Sequence, residues 1–191
     1  YNLGFGLTCT LYVPWLNEIG MSFAEISLIN AIYWVCVILF ELPTGMLADG
    51  RGRGFSVTAG SIFIGIGAIY YSTVNNFGEA VIAETIIALG SAFISGALSA
   101  WIADAKDRTE PLHSVYANAT VLKGIAFVLG PFISIPITLA SFPSAFWLIK
   151  GVVCLSAGAV AWRLMLRSEP ERTLTEFEAL RHAWAHLKRS S

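Results

Sequence analysis

Charge is what this sequence has least of. Only 13% of its 191 residues are Asp, Glu, Lys or Arg, about half the share usual in a soluble globular domain. The formal net charge of -1 offers no basic field for a nucleic acid, so that partner is excluded. Cysteine is scarce as well: Cys9, Cys36 and Cys154 are odd in number, far apart and set in apolar runs. They form neither a disulfide framework nor a C-x-x-C metal site. Histidine occurs only at positions 113, 182 and 186. His182 and His186 stand one helical turn apart but read as part of a solvated face, so neither a metal nor a cofactor is expected. There is no initiator Met at Tyr1, no charged n-region and no small-residue cleavage site. The expectation is a chain that opens inside an apolar stretch, is incomplete and carries no secretory signal.

What the sequence has in quantity is apolar length, with 55% of residues hydrophobic. A helix needs about 20 mostly apolar residues to cross a hydrocarbon core of roughly 30 Å. Six segments are read as spans: 3–16, 24–47, 55–74, 79–103, 114–140 and 144–166. They are apolar nearly all round, whereas helices of a soluble core would show a polar face of 3.6-residue period. The breaks fall at Asn17-Glu18-Ile19-Gly20, Asp49 to Gly54, Asn75-Asn76, Asp104 to His113 and Ser141-Phe142-Pro143. The fold class expected is an all-α membrane protein, a bundle of six transmembrane helices.

The few positive charges set an orientation. Arg51 and Arg53, Lys106 and Arg108, and the six basic residues from Arg163 onward all fall on one side; the opposite breaks contain none. The positive-inside rule makes that side cytoplasmic and, with six crossings, places both ends of the chain there. Residues 168–191 then form the start of a cytoplasmic linker. Within it Thr173-Leu174-Thr175-Glu176 reads as a capping box, and Leu174, Phe177, Leu180, Trp184 and Leu187 make one face of an amphipathic surface helix. Small residues recur at packing intervals, at Gly60, Gly65 and Gly67 in span three and at Ser91, Ser95 and Ser99 in span four, where neighbouring helices can approach closely.

One motif names a family. The run Glu41-Leu42-Pro43-Thr44-Gly45-Met46-Leu47-Ala48-Asp49-Gly50-Arg51-Gly52-Arg53-Gly54 resembles the signature loop between the second and third helices of the major facilitator superfamily. Gly45, Leu47, Ala48, Asp49, Gly52 and Arg53 match that pattern. Ser95-Gly96-Ala97-Leu98-Ser99-Ala100-Trp101-Ile102-Ala103-Asp104 is similar to a span-four segment of some members, with Ser99 in place of an acidic residue. The resemblance covers the whole chain as the N-terminal six-helix half of such a transporter, and implies that the C-terminal six-helix half is its missing partner. It implies secondary active transport of a small solute by alternating access, coupled to protons, with drug or metabolite efflux favoured, in the plasma (inner) membrane. It also implies that Arg53 pairs with Asp104, that Asp49 faces a helix of the other half, and that these close a cytoplasmic latch with Gly45, Gly52 and Glu41. Gly45 itself would let a helix approach closely, and a carboxylate at Asp49 suits a helix N-terminus. The departures are Gly50 and Gly54 where basic residues are usual, no Arg early in span four, and Gly130-Pro131 alone of the Gly-rich span-five motif.

Charges within spans are expensive and need a reason, at least about 2.5–3.5 kcal/mol each at mid-bilayer. Lys123 lies near mid-depth and is the candidate to meet an anionic substrate or a coupling carboxylate. Glu84 is either a proton carrier or a pairing partner in the outer leaflet, where Lys150 is read as pairing with it or snorkelling outward. Since the resemblance makes spans one and four cavity-lining, Thr8, Tyr12, Asn17 and Trp101 become candidates to touch substrate. Ordinary interhelical hydrogen bonding explains them nearly as well. An enzyme is not expected: a six-span serine protease needs G-x-S-G, whereas Phe93-Ile94-Ser95-Gly96 lacks the first Gly and every His lies outside the bundle. The remaining alternative is a transport-inactive scaffold that acts only with a second half.

Overall fold

In hydrocarbon every backbone N–H and C=O must be satisfied inside its own segment, so apolar runs of this length fold as helices. The computed structural model describes residues 2–104, 112–139 and 144–168; Asp49, Trp101 and Asp104 are described by their backbone alone, and the amphipathic linker segment lies outside the described residues. Among the described residues seven helices follow in order: α1 (Asn2–Cys9), α2 (Tyr12–Glu18), α3 (Phe23–Arg51), α4 (Arg53–Tyr71), α5 (Phe77–Asp104), α6 (Leu112–Leu139) and α7 (Ala145–Ser168). Among the described residues, five helices, α3 to α7, are long and apolar enough to cross a membrane.

The segment read as span one, 3–16, is instead two short helices with a break at Thr10–Leu11. Pro14 supplies the reason: it has no N–H for the carbonyl of Thr10, and its ring crowds that same carbonyl. The second departure is at the signature motif. The expected 49–54 loop shrinks to one residue, because α3 runs on through Gly50 and Arg51 while α4 begins at Arg53. Gly52 alone turns the chain, at φ 99°, a conformation that favours glycine. It closes both helices, with its N–H donating to Ala48 O at 3.0 Å and its carbonyl accepting from Ser56 N at 3.3 Å. Gly50 and Gly54 are therefore helical and do not loosen a loop.

The other junctions are tied by side chains. Ser22 caps α3 in a reciprocal capping box: Glu25 N donates to Ser22 Oγ at 3.3 Å and Ser22 N donates to Glu25 Oε2 at 2.9 Å. Asn17 Nδ2 donates to Met21 O at 3.1 Å across the preceding turn, where Gly20 has φ 97°. At the head of α5, Glu79 N donates to Asn76 Oδ1 at 3.0 Å and Asn75 N to Glu79 Oε2 at 2.8 Å. Ser22→Ala is expected to lower stability by about 1 kcal/mol, the usual cost of a lost N-cap, read as a small fall in Tm of the detergent-solubilised protein.

α4 is the centre of the bundle, held between α5 and α7; α3 packs on α5, and α1 packs on α6 and α7. Glycines let these helices meet backbone to backbone. A Cβ on Gly60 would stand 2.5 Å from Gly90 O, and one on Gly90 would stand 2.6 Å from Gly60 O, so α4 and α5 touch there with no room for a side chain. Gly6 and Gly130 do the same between α1 and α6, while between α4 and α7 a Cβ on Gly65 or Gly151 would stand 3.1 Å from the other's carbonyl and closer to the side chains of Leu155 and Ile69. The core lies toward the end of the bundle opposite Gly52. There Trp15, Leu16, Ile29, Ile64, Tyr71, Phe146 and Trp147 are buried together. The Tyr71 and Trp147 rings stack at 4.1 Å, and Trp15 meets both edge-on at 6.0 and 5.8 Å. α6 and α3 are the least covered helices.

Candidate functional site

Two constellations stand at opposite ends of the bundle. The first is a groove of ≈ 670 Å³ between α3 and α5, whose lining includes Glu41, Gly45, Arg53, Ser95 and Gly96. Helix α3 brings Glu41, Gly45 and Ala48 to it at successive turns, a spacing of three to four residues that keeps one face. The single-residue reversal at Gly52 folds Arg53 back onto the same groove. Ser95 Oγ donates to Glu41 Oε1 at 3.4 Å, joining α5 to α3 across it. A Cβ on Gly45 or on Gly96 would meet nothing within 4 Å among the described residues. The groove thus presents one acid and one base over a floor that no described part of this chain fills. Arg51 is exposed beside it, its guanidinium 5.3 Å from the centre of the Phe55 ring. Asp49 lies in the last turn of α3 and Asp104 is the last residue of α5, so the backbone brings the three partners of the expected latch to one end of the bundle.

The second constellation is a buried polar cluster where α1, α2, α4, α5 and α7 meet. Glu84 and Lys150 are only 8% and 7% exposed. Lys150 therefore does not snorkel, because α1 covers it: Gly4 leaves a gap in which a Cβ would lie 3.4 Å from Lys150 Cγ. Lys150 Nζ donates to Thr8 Oγ1 at 3.4 Å and lies 4.9 Å from the Trp147 ring centre. Thr8 Oγ1 in turn donates to Phe5 O at 3.1 Å, within α1. Lys150 and Glu84 are near enough for each charge to act on the other. Even so, Glu84 Oε2 has no hydrogen-bond partner among the described residues. The Tyr71 hydroxyl lies beside both Glu84 and Tyr12 and closes a hydrogen bond with neither. An acid and a base buried at this depth and only partly satisfied are a costly arrangement.

Of the residues singled out from sequence, Glu41, Gly45 and Arg53 come together in the groove, and Thr8, Tyr12 and Glu84 come together in the cluster. Lys123 joins neither; it stands on the exposed face of α6. Trp101 lies in the last turn of α5, near the motif end, with its side chain outside the described residues. The direct partnership of Lys150 with Thr8, and the place of Tyr71 and Trp147 around it, was not read from the sequence. A Lys one and a half turns into an apolar span was the available signal.

The sequence model of the Major Facilitator Superfamily matches residues 1–191. The chain belongs to the major facilitator superfamily. The MFS-type transporter MJ1560 of Methanocaldococcus jannaschii, itself uncharacterized, is 26% identical to it over 133 residues, covering 69% of this chain and 34% of that protein. The uncharacterized MFS-type transporter YxaM of Bacillus subtilis is 24% identical over 100 residues, covering 52% of this chain and 25% of its own length. The quinolone resistance protein NorA of Staphylococcus aureus is 22% identical over 132 residues, covering 68% of this chain and 33% of NorA. The chain spans about a third or less of the length of these relatives. This superfamily member is an integral, multi-pass membrane protein of a transporter family rather than an enzyme, and its all-helical fold is of the MFS type.

Proposed function

We propose that this chain is the N-terminal half of a secondary active transporter that moves a small solute by alternating access, in exchange for protons. The observation that carries the reading is the α3–α5 groove, where the family's motif residues Glu41, Gly45 and Arg53 line a surface that the described residues leave uncovered. A second six-helix half docked over Gly45 fits that surface. With Arg53, Asp49 and Asp104 gathered at one end, docking and release of the groove open and shut the cytoplasmic side. The positive-inside rule supports the reading of this end, and of both ends of the chain, as cytoplasmic, and the plasma (inner) membrane is the location proposed. Glu84 is the proton-coupling group of this half, Lys150 its counter-charge, and Thr8 and Tyr12 border them. Lys123, on the open face of α6, is the cation that meets an anionic solute or a carboxylate of the other half. Efflux of a drug or metabolite is the favoured direction, supported by the likeness to the quinolone resistance protein NorA.

The test is flux in proteoliposomes carrying the full-length protein. An acidic lumen is expected to drive solute into the vesicles as protons leave, with a planar aromatic quinolone among the solutes tried, and a protonophore is expected to abolish the accumulation. No gradient-dependent flux of any solute would leave the chain as the scaffold of an inactive assembly.

A further inference from the structure

The hydrogen bond from Lys150 goes to Thr8 while Oε2 of the nearby Glu84 is left unpartnered among the described residues. A lysine ammonium carries three donors on a flexible four-carbon stem, so it can serve either acceptor by rotation about its stem. We propose that Lys150 is a positioning residue with two stations, Thr8 and Glu84, and that the proton on Glu84 selects between them. This deepens the proton-coupling role given to Glu84 above and rests on that reading.

A protonated Glu84 carries no charge and leaves Lys150 on Thr8. That bond ties α1 to α7 two residues before the break at Thr10–Leu11, where the first span has its joint. An ionised Glu84 is a buried carboxylate with an open lone pair, a costly arrangement that the nearest ammonium relieves by moving onto it. Thr8 is then released and α1 is free to swing from α7. No bond is made or broken apart from the O–H of Glu84, whose proton passes to water or to the other half during the cycle. The titratable groups that border the pair are Tyr12 of α2, Tyr71 of α4, Cys154 of α7, Cys9 of α1 and, one position along from Glu84, Cys36 of α3, 4.0 Å from Thr85 Oγ1. Among the described side chains of the set, Glu84 is the single carboxylate and Lys150 the single amine.

The protein carries its own reporter of the joint. Cys154 is 1% exposed, and a Cβ on Gly4 of α1 would lie 3.2 Å from its Sγ. When α1 lifts from α7, Cys154 is uncovered. The experiment follows reaction of Cys154 with N-ethylmaleimide in the full-length protein, every other cysteine replaced by Ser. Rates are divided by those of the Glu84→Gln variant at the same pH, which cancels the reagent's own preference for thiolate. The ratio is expected to rise about tenfold as the pH is raised, as a shift of Lys150 from Thr8 to Glu84 opens the joint. Lys150→Arg keeps the rise. Thr8→Val, which removes the acceptor and keeps the shape, gives a high ratio at every pH, and Lys150→Met does the same if it folds. A flat ratio in the wild type, or a rise that survives in Thr8→Val, would overturn the proposal. The readout needs no transport: a rising ratio without proton-driven flux removes the coupling role of Glu84 and keeps the switch, whereas proton-driven flux with a flat ratio removes the switch alone.

Discussion

Gly60→Leu is expected to destabilise this protein strongly. The first added carbon would lie 2.5 Å from Gly90 O, 2.6 Å from Ile94 Cγ1 and 2.9 Å from Phe93 Cβ, so the obstacle includes backbone as well as the ends of flexible side chains. α4 is the central helix, packed on both α5 and α7, and it cannot back away from α5 without pressing Gly65 onto Gly151. Overpacking a tight core costs about 1–3 kcal/mol and more where the backbone must move; roughly 3 kcal/mol or more is expected here. At about 2–4 °C per kcal/mol for a chain of this size, Tm should fall by roughly 10 °C, with loss of the monodisperse peak on size exclusion. Gly124→Leu is the matched control. A Cβ there meets nothing within 4 Å, Leu is the better helix former, and Tm is expected to hold or rise. An unchanged Tm in Gly60→Leu would show that α4 and α5 do not meet at these glycines.

The second large effect belongs to the buried charges. At a pH where Glu84 is ionised, Lys150→Met removes the opposite charge acting on it and leaves a carboxylate 8% exposed without compensation. Breaking one partner of such a pair typically costs about 3–5 kcal/mol, while replacing both by neutral groups of similar volume is often neutral. The expected result is therefore non-additive: Lys150→Met and Glu84→Gln each lower stability, and the double variant Glu84→Gln/Lys150→Met recovers most of the loss. A cycle of four thermal melts measures the coupling, expected at about 2 kcal/mol or more. Additive losses would mean that the two groups are held independently.

Much of the architecture was legible before the structure. Long apolar runs broken by Gly, Asn and Pro have few foldings in lipid, and the motif fixed the order of elements around Gly45 and Arg53. The break in the first span follows from Pro14, yet an apolar stretch of that length reads as one crossing until the lost hydrogen bond at Thr10 is counted. The junction at 49–54 was read as a loop because glycines suggest one, yet in the structure Gly52 alone adopts a positive φ there.

The rotation of each helix was the part that sequence could not supply. Depth can be counted along a span, but direction needs a polar face, and helices apolar on every side have none. Counting along the span gives Lys123 a depth near the middle but not the exposed face of α6 on which it sits, and it gives Lys150 a depth in the outer leaflet but not its cover by α1. The bond from Lys150 to Thr8 links positions 142 residues apart, a separation at which no local pattern gives warning. The groove was easier, because its residues lie one turn apart on α3 and return at once through Gly52.

The most direct test of the central claim, that the Gly45 face is where a second half docks to make a transporter, compares the wild type with Gly45→Leu in the full-length protein. Nothing described lies within 4 Å of a Cβ at Gly45, so the substitution is expected to leave folding of this half intact, with Tm unchanged. Gradient-driven flux in proteoliposomes is expected to fall to background, because the added side chain holds the two halves apart. Full flux with Gly45→Leu would contradict the account, since it would show that nothing needs to approach that face.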